Sequence, residues 1–142
     1  GARPVRVGLS SLMREVQETT LPERGVALVV DVDEALAHTP APRLIATAHG
    51  SLVQTAMKLS RDERLVVVRA RREAESIVVE VEDECGELPP DRAQRIFASP
   101  GLAVTREALE LHGGAVGVRA KPPRSCVFWL TVPARSGASA SR

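Results

Sequence analysis

The sequence contains very few aromatic residues and no long apolar run. Among its 142 residues there are two Phe, one Trp and no Tyr. Proteins that bind single-stranded nucleic acids normally stack the bases on aromatic side chains, so this scarcity argues against that class of partner. No apolar run approaches the roughly 20 residues that span a bilayer, and no segment has the pattern of a signal peptide, so we expect no membrane contact from this fragment. The core must therefore be built from Val, Leu, Ile and Ala.

An excess of one charge is also missing. The 19 basic and 18 acidic residues are interspersed and give a net charge of +1, which argues against a DNA or RNA partner. The two cysteines, Cys85 and Cys126, lack CxxC spacing, and we expect free thiols in a reducing, cytoplasmic compartment. The length fits one domain over residues 1–133, and the small, polar segment 134–142 predicts a disordered tail.

Hydrophobic periodicity predicts the secondary structure of the first half. Apolar residues at helical spacing indicate helices over 10–20 and 43–60, and a β-branched run indicates a strand over 25–33. Two prolines make residues 38–42 a predicted loop. Gly50 weakens the second helix by about 1 kcal/mol relative to Ala, which suggests that close packing requires it.

The second half alternates short strands with two helices. Two strands are predicted before the helices and two after them. In chain order the strands are 64–72 and 76–83 with a hairpin loop at 72–75, the helices 89–97 and 101–114, and the last strands 115–120 and 125–133. The order α-β-α-β-β-α-α-β-β predicts an α+β fold, a two-layer α/β sandwich rather than alternating βαβ units.

Three local patterns occur on these elements. They are SLVQTAMK at 51–58; VEDECGELP at 81–89, followed by Ile96-Phe97; and GLA at 101–103, followed by HGG at 112–114. With the order of elements, they resemble the ATP-binding catalytic domain of sensor histidine kinases, within the Bergerat-fold ATPases. The resemblance covers roughly residues 5–133 and implies a mixed, mostly antiparallel sheet covered by helices on one face.

The first pattern resembles the family motif N-L-L-x-N-A-x-K, with Ser51 and Thr55 in place of the two asparagines. The resemblance implies that Thr55 occupies the Mg²⁺-ligand position and that Lys58 lies near the phosphates. A hydroxyl is a poorer ligand than the amide oxygen that it replaces. From the residues alone, Thr55 is equally a small residue facing the core and Lys58 a solvated surface charge.

The second pattern resembles V-x-D-N-G-x-G-I-P. The resemblance implies that Asp83 accepts a hydrogen bond from the adenine amino group, although such a carboxylate could equally cap a turn. Cys85 and Glu87 replace the two glycines that let the backbone approach the ligand. Gly86 falls between those positions and could partly stand in for them. These changes predict a damaged pocket.

The third pattern matches the phosphate end of the family pocket. Gly101 and Leu102 correspond to the end of a flexible lid, which is here reduced to residues 98–100. The helix that starts near Gly101 offers free N–H groups and a positive dipole end to phosphates. His112 matches a structural turn, and the other two histidines lack an acidic neighbour, so no catalytic residue is predicted.

The resemblance implies ATP and Mg²⁺ as cofactors, and the damaged motifs make their binding doubtful. It implies as partners the dimerisation and phosphoacceptor helices of its own or a partner kinase, and a response regulator. We expect a histidine kinase catalytic-type domain with weak or no ATP binding that acts in signalling through protein contacts. The alternatives are an active kinase with a minimal, nearly lidless pocket, or a nucleotide-independent, anti-sigma-like binding module on the same fold.

Overall fold

The computed structural model describes residues 6–19, 25–33, 36, 40–60, 64–86 and 88–134. Eleven elements are present in these ranges. In chain order they are β1 (Arg6–Gly8), α1 (Leu9–Thr19), β2 (Ala27–Val32), β3 (Pro40–Pro42), α2 (Leu44–Leu59), β4 (Leu65–Glu73), β5 (Ser76–Asp83), α3 (Pro90–Ala98), α4 (Pro100–Leu111), β6 (Ala115–Lys121) and β7 (Ser125–Pro133).

The main sheet has five strands in the order β2-β4-β5-β7-β6. Only the β2–β4 pair is parallel, and the other three pairs are antiparallel. The predicted mixed, mostly antiparallel sheet is therefore confirmed, and β5 is its central strand.

A second, two-stranded sheet differs from the sequence prediction. β1 and β3 pair antiparallel, so residues 40–42 form a short strand where a loop was predicted. Residues 38–39 of that predicted loop lie outside the described residues. Both ends of β3 are prolines, which lack the N–H that a strand donates, and this explains why periodicity gave no strand signal there.

The helices and the main sheet enclose one hydrophobic core. α2 contacts α1, α4 and strands β4, β5 and β7, so it is the central helix of the helical layer. The predicted apolar face of α1 is buried: it consists of Leu9, Leu12, Met13 and Val16. The two-layer α+β fold is thus confirmed. None of the described helices is both long and apolar enough to cross a membrane.

The outer face of the main sheet carries charges instead of helices. Glu80 on β5 pairs with Arg71 at 3.2 Å and with Arg119 at 2.8 Å. Two residues further along β5, Glu82 pairs with Arg69 at 2.9 Å and with Lys121 at 3.0 Å. The basic partners lie on β4 and on β6, the next strand but one, and they let two mostly buried carboxylates stay ionised on this face.

The glycines that follow α4 are required by the backbone, whereas the glycine inside α2 is not. α4 ends at a turn in which Gly113 has φ +79°, and the N–H of Gly114 donates to the Leu109 carbonyl at 2.8 Å. A Cβ on Gly114 would collide with the Thr131 carbonyl oxygen, so this position requires glycine. The prediction for Gly50 is wrong, because a Cβ added there would meet no atom within 4 Å.

Candidate functional site

Asp83 is the last residue of β5, at the carboxyl end of that strand. Asp83 lies directly opposite Cys126 of β7 in the strand register, and it is completely buried. Strand geometry explains this orientation: alternate side chains face opposite sides, so Glu80 and Glu82 face outward while Val81 and Asp83 face the helices. The residue that the sequence predicts as the adenine contact therefore lies on the inner face.

Asp83 is an unusual buried acid because neither of its carboxylate oxygens makes a hydrogen bond among the described residues. Burial raises the pKa of its carboxyl to about 7. The Arg92 charge and the Cys85 backbone N–H, which lies near the carboxyl without hydrogen-bond geometry, lower the pKa by less. Buried polar groups without a partner are rare and need an explanation. Here the explanation lies in the residues that cover the carboxyl.

Cys85 and Cys126 are joined by a disulfide next to Asp83, with their Cα atoms 5.9 Å apart. This Cα separation lies within the normal range for a disulfide. The prediction of two free thiols is therefore wrong. It failed because a chain separation of 41 residues gives no hint of contact, whereas the register of β5 and β7 places Cys126 beside the loop that carries Cys85.

The loop after β5 is fastened to the turn before β7 at a second point. Gly86 has φ +84°, a conformation that glycine adopts without steric cost, and its N–H donates to the Arg124 carbonyl at 2.8 Å. The predicted obstruction by Glu87 lies outside the described residues. Thus Gly86 is used here for a turn and a tether.

A shallow cavity of about 300 Å³ opens next to this cross-link. Its lining includes Gly86 and Ser125, the chain neighbours of the two cysteines, together with Leu88, Pro89, Ala120, Pro122 and Pro123. Asp83 does not line this cavity.

The predicted metal and phosphate residues of α2 lie on one face of that helix. Ser51 and Thr55 are partly buried, and Lys58 is exposed. The Thr55 hydroxyl donates to the Ser51 carbonyl at 2.9 Å, a bond within the helix. The proton of this hydroxyl is therefore already used, and its oxygen remains a neutral acceptor. The assignment of Thr55 to Mg²⁺ stays a prediction.

His49, two residues before Ser51 on α2, lies in the core. Neither of its ring nitrogens has a hydrogen-bond partner among the described residues. Burial lowers the pKa of its imidazole to about 4, so the ring is neutral at pH 7. His112, by contrast, is exposed just after the end of α4.

Within the described range 88–134, α3 and α4 are joined by Ser99 alone, so no segment between these two helices could cover a ligand at the predicted phosphate end. Ser99 caps both helices in an extended conformation, and its hydroxyl donates to the Ile96 carbonyl at 2.6 Å. Gly101 is exposed in the first turn of α4, whereas Leu102 packs in the core. It stays a prediction that residues 98–100 are a shortened lid and that Gly101 and Leu102 bind a ligand.

Within the described residues, one group of acidic, cysteine or histidine side chains is close enough to hold a metal ion. It consists of Asp83, Cys85 and Cys126, whose ligand atoms lie within 4.8 Å of one another. The sequence prediction included only the first of these three in the site. Pairing the Asp83 end of β5 with the β7 strand in the sequence would have brought the other two together.

Comparison with known proteins agrees with this geometry. The family model of the histidine kinase-, DNA gyrase B-, and HSP90-like ATPases matches residues 41–136. The chain therefore belongs to this ATPase family, and the predicted resemblance is confirmed.

Individual relatives are sensor kinases. The chain is 26% identical over 141 residues to the alginate biosynthesis sensor protein KinB of Pseudomonas aeruginosa, covering 88% of this chain and 24% of KinB. It thus spans about a quarter of the length of this curated relative. The catalytic domain of histidine kinase ThkA has a similar structure, with a TM-score of 0.80 and 20% identity over 95% of this chain and 99% of that one. The structure of ThkA in complex with the response regulator protein TrrA matches with a TM-score of 0.77 and 22% identity, over 93% of this chain and 42% of that one.

Proposed function

We propose that this chain is the catalytic, ATP-binding-type domain of a two-component sensor histidine kinase that binds ATP weakly or not at all in its disulfide-bonded state. One observation carries the proposal: Asp83, the residue in the adenine position, is fully buried next to the Cys85–Cys126 bridge. An adenine amino group can donate no hydrogen bond to a carboxylate that it cannot reach.

The rest of the pocket supports weak binding as well. Phosphoryl transfer depends on positioning the triphosphate and its metal and on electrostatic stabilisation. Thr55 offers one neutral hydroxyl oxygen in place of an amide, and the single-residue link between α3 and α4 leaves the start of α4 open to water. A triphosphate bound there would lack both a strong Mg²⁺ ligand and a cover.

Such a domain would act in the cytoplasm through protein contacts. Its partners would be the dimerisation and phosphoacceptor helices of its own or another kinase, and a response regulator. The solved complex of ThkA with TrrA supports the last of these, because that kinase has a domain of the same fold. The whole protein would be longer than this chain, as its relative KinB is.

Calorimetric titration of the oxidised protein with ATP, in the presence and absence of Mg²⁺, tests the proposal. We expect no saturable binding and no difference between the wild type and Asp83→Asn. Micromolar, Mg²⁺-dependent binding that Asp83→Asn abolishes would contradict it and favour the active kinase with a minimal pocket.

Transfer of phosphate from labelled ATP to a supplied dimerisation domain separates the remaining alternatives. Transfer would establish the active kinase. A stable complex with that domain, without transfer, would support a signalling role by contact. A domain that binds neither ATP nor kinase helices, but a different protein, would be the nucleotide-independent module.

A further inference from the structure

A carboxyl and two cysteines are buried together at the end of β5, on the side of the strand that faces the helices, which is called the pocket side below. Asp83 and Cys126 have no exposed surface, and Cys85 is 8% exposed. The disulfide accounts for the cysteines and leaves the carboxyl without a hydrogen-bond partner in the part of the chain that the structure describes. An arrangement that leaves a buried acid unsatisfied is understandable as one of two states of the same site.

We propose that Cys85 and Cys126 form a thiol–disulfide exchange site whose reagents are small thiols and their disulfides, and whose opening uncovers Asp83 for an adenine nucleotide. This inference rests on the proposed function, because it takes the site beside Asp83 to be a nucleotide pocket. It adds that the oxidation state of the two cysteines controls access to that pocket.

The position of the two sulfurs supports control of access. Cys126 belongs to β7, where it is held opposite Asp83 by the strand pairing. Cys85 belongs to the loop between β5 and α3, whose next residue is Gly86 in the left-handed conformation. Breaking the bridge frees one end of the loop from the sheet, while the hydrogen bond from Gly86 to the Arg124 carbonyl still holds the loop on that side.

Cys85 is the cysteine that a small thiol would reach first, since Cys126 has no exposed surface. The cavity of about 300 Å³ is lined by the chain neighbours of both cysteines, and Cys85 is the more exposed of the pair. A thiolate attacks the Cys85 sulfur, the bond between the cysteines breaks, and Cys126 leaves as a thiolate that takes up a proton. A second thiol then attacks the mixed disulfide and releases Cys85 as a thiol together with the small disulfide. The sum is one protein disulfide and two thiols giving one protein dithiol and one small disulfide.

The experiment uses the whole chain equilibrated in mixtures of reduced and oxidised glutathione. Alkylation under denaturing conditions, followed by intact-mass measurement, gives the fraction with two thiols. Each sample is then titrated with ADP to measure its affinity. Mg²⁺ is left out so that the missing metal ligand does not influence the result. We expect ADP to bind at least about tenfold more tightly to the dithiol form, in proportion to its fraction.

Cys126→Ser is the matched variant, because it keeps a small polar side chain and cannot form the bridge. It should bind ADP like the reduced wild type whatever the glutathione ratio, and Cys85→Ser should do the same. Circular dichroism establishes that both variants are folded. If one is not, the other variant and the reduced wild type provide the same comparison.

Three results would overturn the inference. They are equal ADP affinity in both oxidation states, absence of ADP binding in both, and failure of the disulfide to form or to exchange with glutathione. Reduced protein that takes up one Zn²⁺ through Asp83 and the two thiols, and binds no ADP, would also overturn it and make this group a metal site. The proposed function is tested separately, because its tests are ATP binding by the oxidised protein and phosphate transfer to a dimerisation domain.

Discussion

The central strand β5 carries acids in two contrasting environments. On its outer face, Glu80 and Glu82 are each held by two basic side chains, one from β4 and one from β6. Burial would raise the pKa of both carboxyls, but hydrogen bonds from those basic groups lower the pKa values below the usual range. At the pocket end of the same strand, Asp83 has no such bonds and its pKa is raised to about 7.

This contrast shows where the chain gives up stability. A buried charge is tolerated when a partner is supplied, as on the outer face, and destabilises when it is left alone. The pocket side holds two such polar groups, Asp83 and His49, among the described residues. Local rules are expected to fail at functional sites, so the contrast also locates the site independently of the motifs.

The largest expected effect comes from removing the charge at the pocket end. Because the pKa of Asp83 is raised in the folded protein, its neutral carboxyl favours folding fully below about pH 4, and this contribution is lost as the pH rises through about 7. The difference amounts to roughly 4 kcal/mol in the free energy of unfolding. Asp83→Asn, with the disulfide kept oxidised, should therefore gain most of this stability at about pH 8 relative to the wild type.

Urea unfolding of both proteins between about pH 4 and pH 8 measures this difference. The corresponding change on the outer face, Glu82→Gln, is the control and should lose stability above its low pKa. Equal pH dependence in the wild type and Asp83→Asn would show that the carboxyl has a partner in solution and would remove the contrast.

His49 should show the opposite dependence on pH. Its pKa is lowered to about 4 in the folded protein, so the neutral imidazole favours folding above about pH 6.5, and this contribution is lost as the pH falls towards 4. The loss is roughly 3 kcal/mol. His49→Leu should remove it, because leucine fills similar space without a proton to bind.

The two effects nearly cancel between about pH 4 and pH 7, so the wild type should hide both of them. Unfolding measured in the single variants and the double variant would reveal them. The single variants should differ from the wild type with slopes of opposite sign, and the double variant should be nearly as flat as the wild type. Slopes of the same sign would contradict this interpretation.

Removing a charge from the outer face should change the free energy of unfolding less than removing one from the pocket side. Glu80→Gln removes one charge from an arrangement whose basic members, Arg71 and Arg119, are about half exposed. Solvent screens such pairs, so the loss should be about 1 kcal/mol at neutral pH. Glu75→Gln is the matched control, since Glu75 is 82% exposed in its pair with Arg72, and we expect no measurable change there. A loss at Glu80 as large as the gain at Asp83 would show that pairing is not what distinguishes the two faces.

The sequence predicted the scaffold well and the enclosure of the site poorly. Periodicity identified the helices and the strands of the main sheet because apolar spacing is a local property. The motif at 81–89 located Asp83 for the same reason. The bridge between Cys85 and Cys126, and the pKa of Asp83, depend on which residues face each other across β5 and β7, and that register is not a local property.

The smallest expected effect concerns packing on the pocket side, at the residue next to His49. Gly50 lies inside α2 with open space where a Cβ would be, so Gly50→Ala should raise the free energy of unfolding by about 0.5–1 kcal/mol. Gly114→Ala is the matched control, since the same methyl group there would collide with the Thr131 carbonyl, and it should destabilise instead. Urea unfolding of the two variants compares them directly. Loss of stability in Gly50→Ala would mean that the pocket side is as tightly packed as the end of α4, and the difference between the two regions would then rest on unpaired polar groups alone.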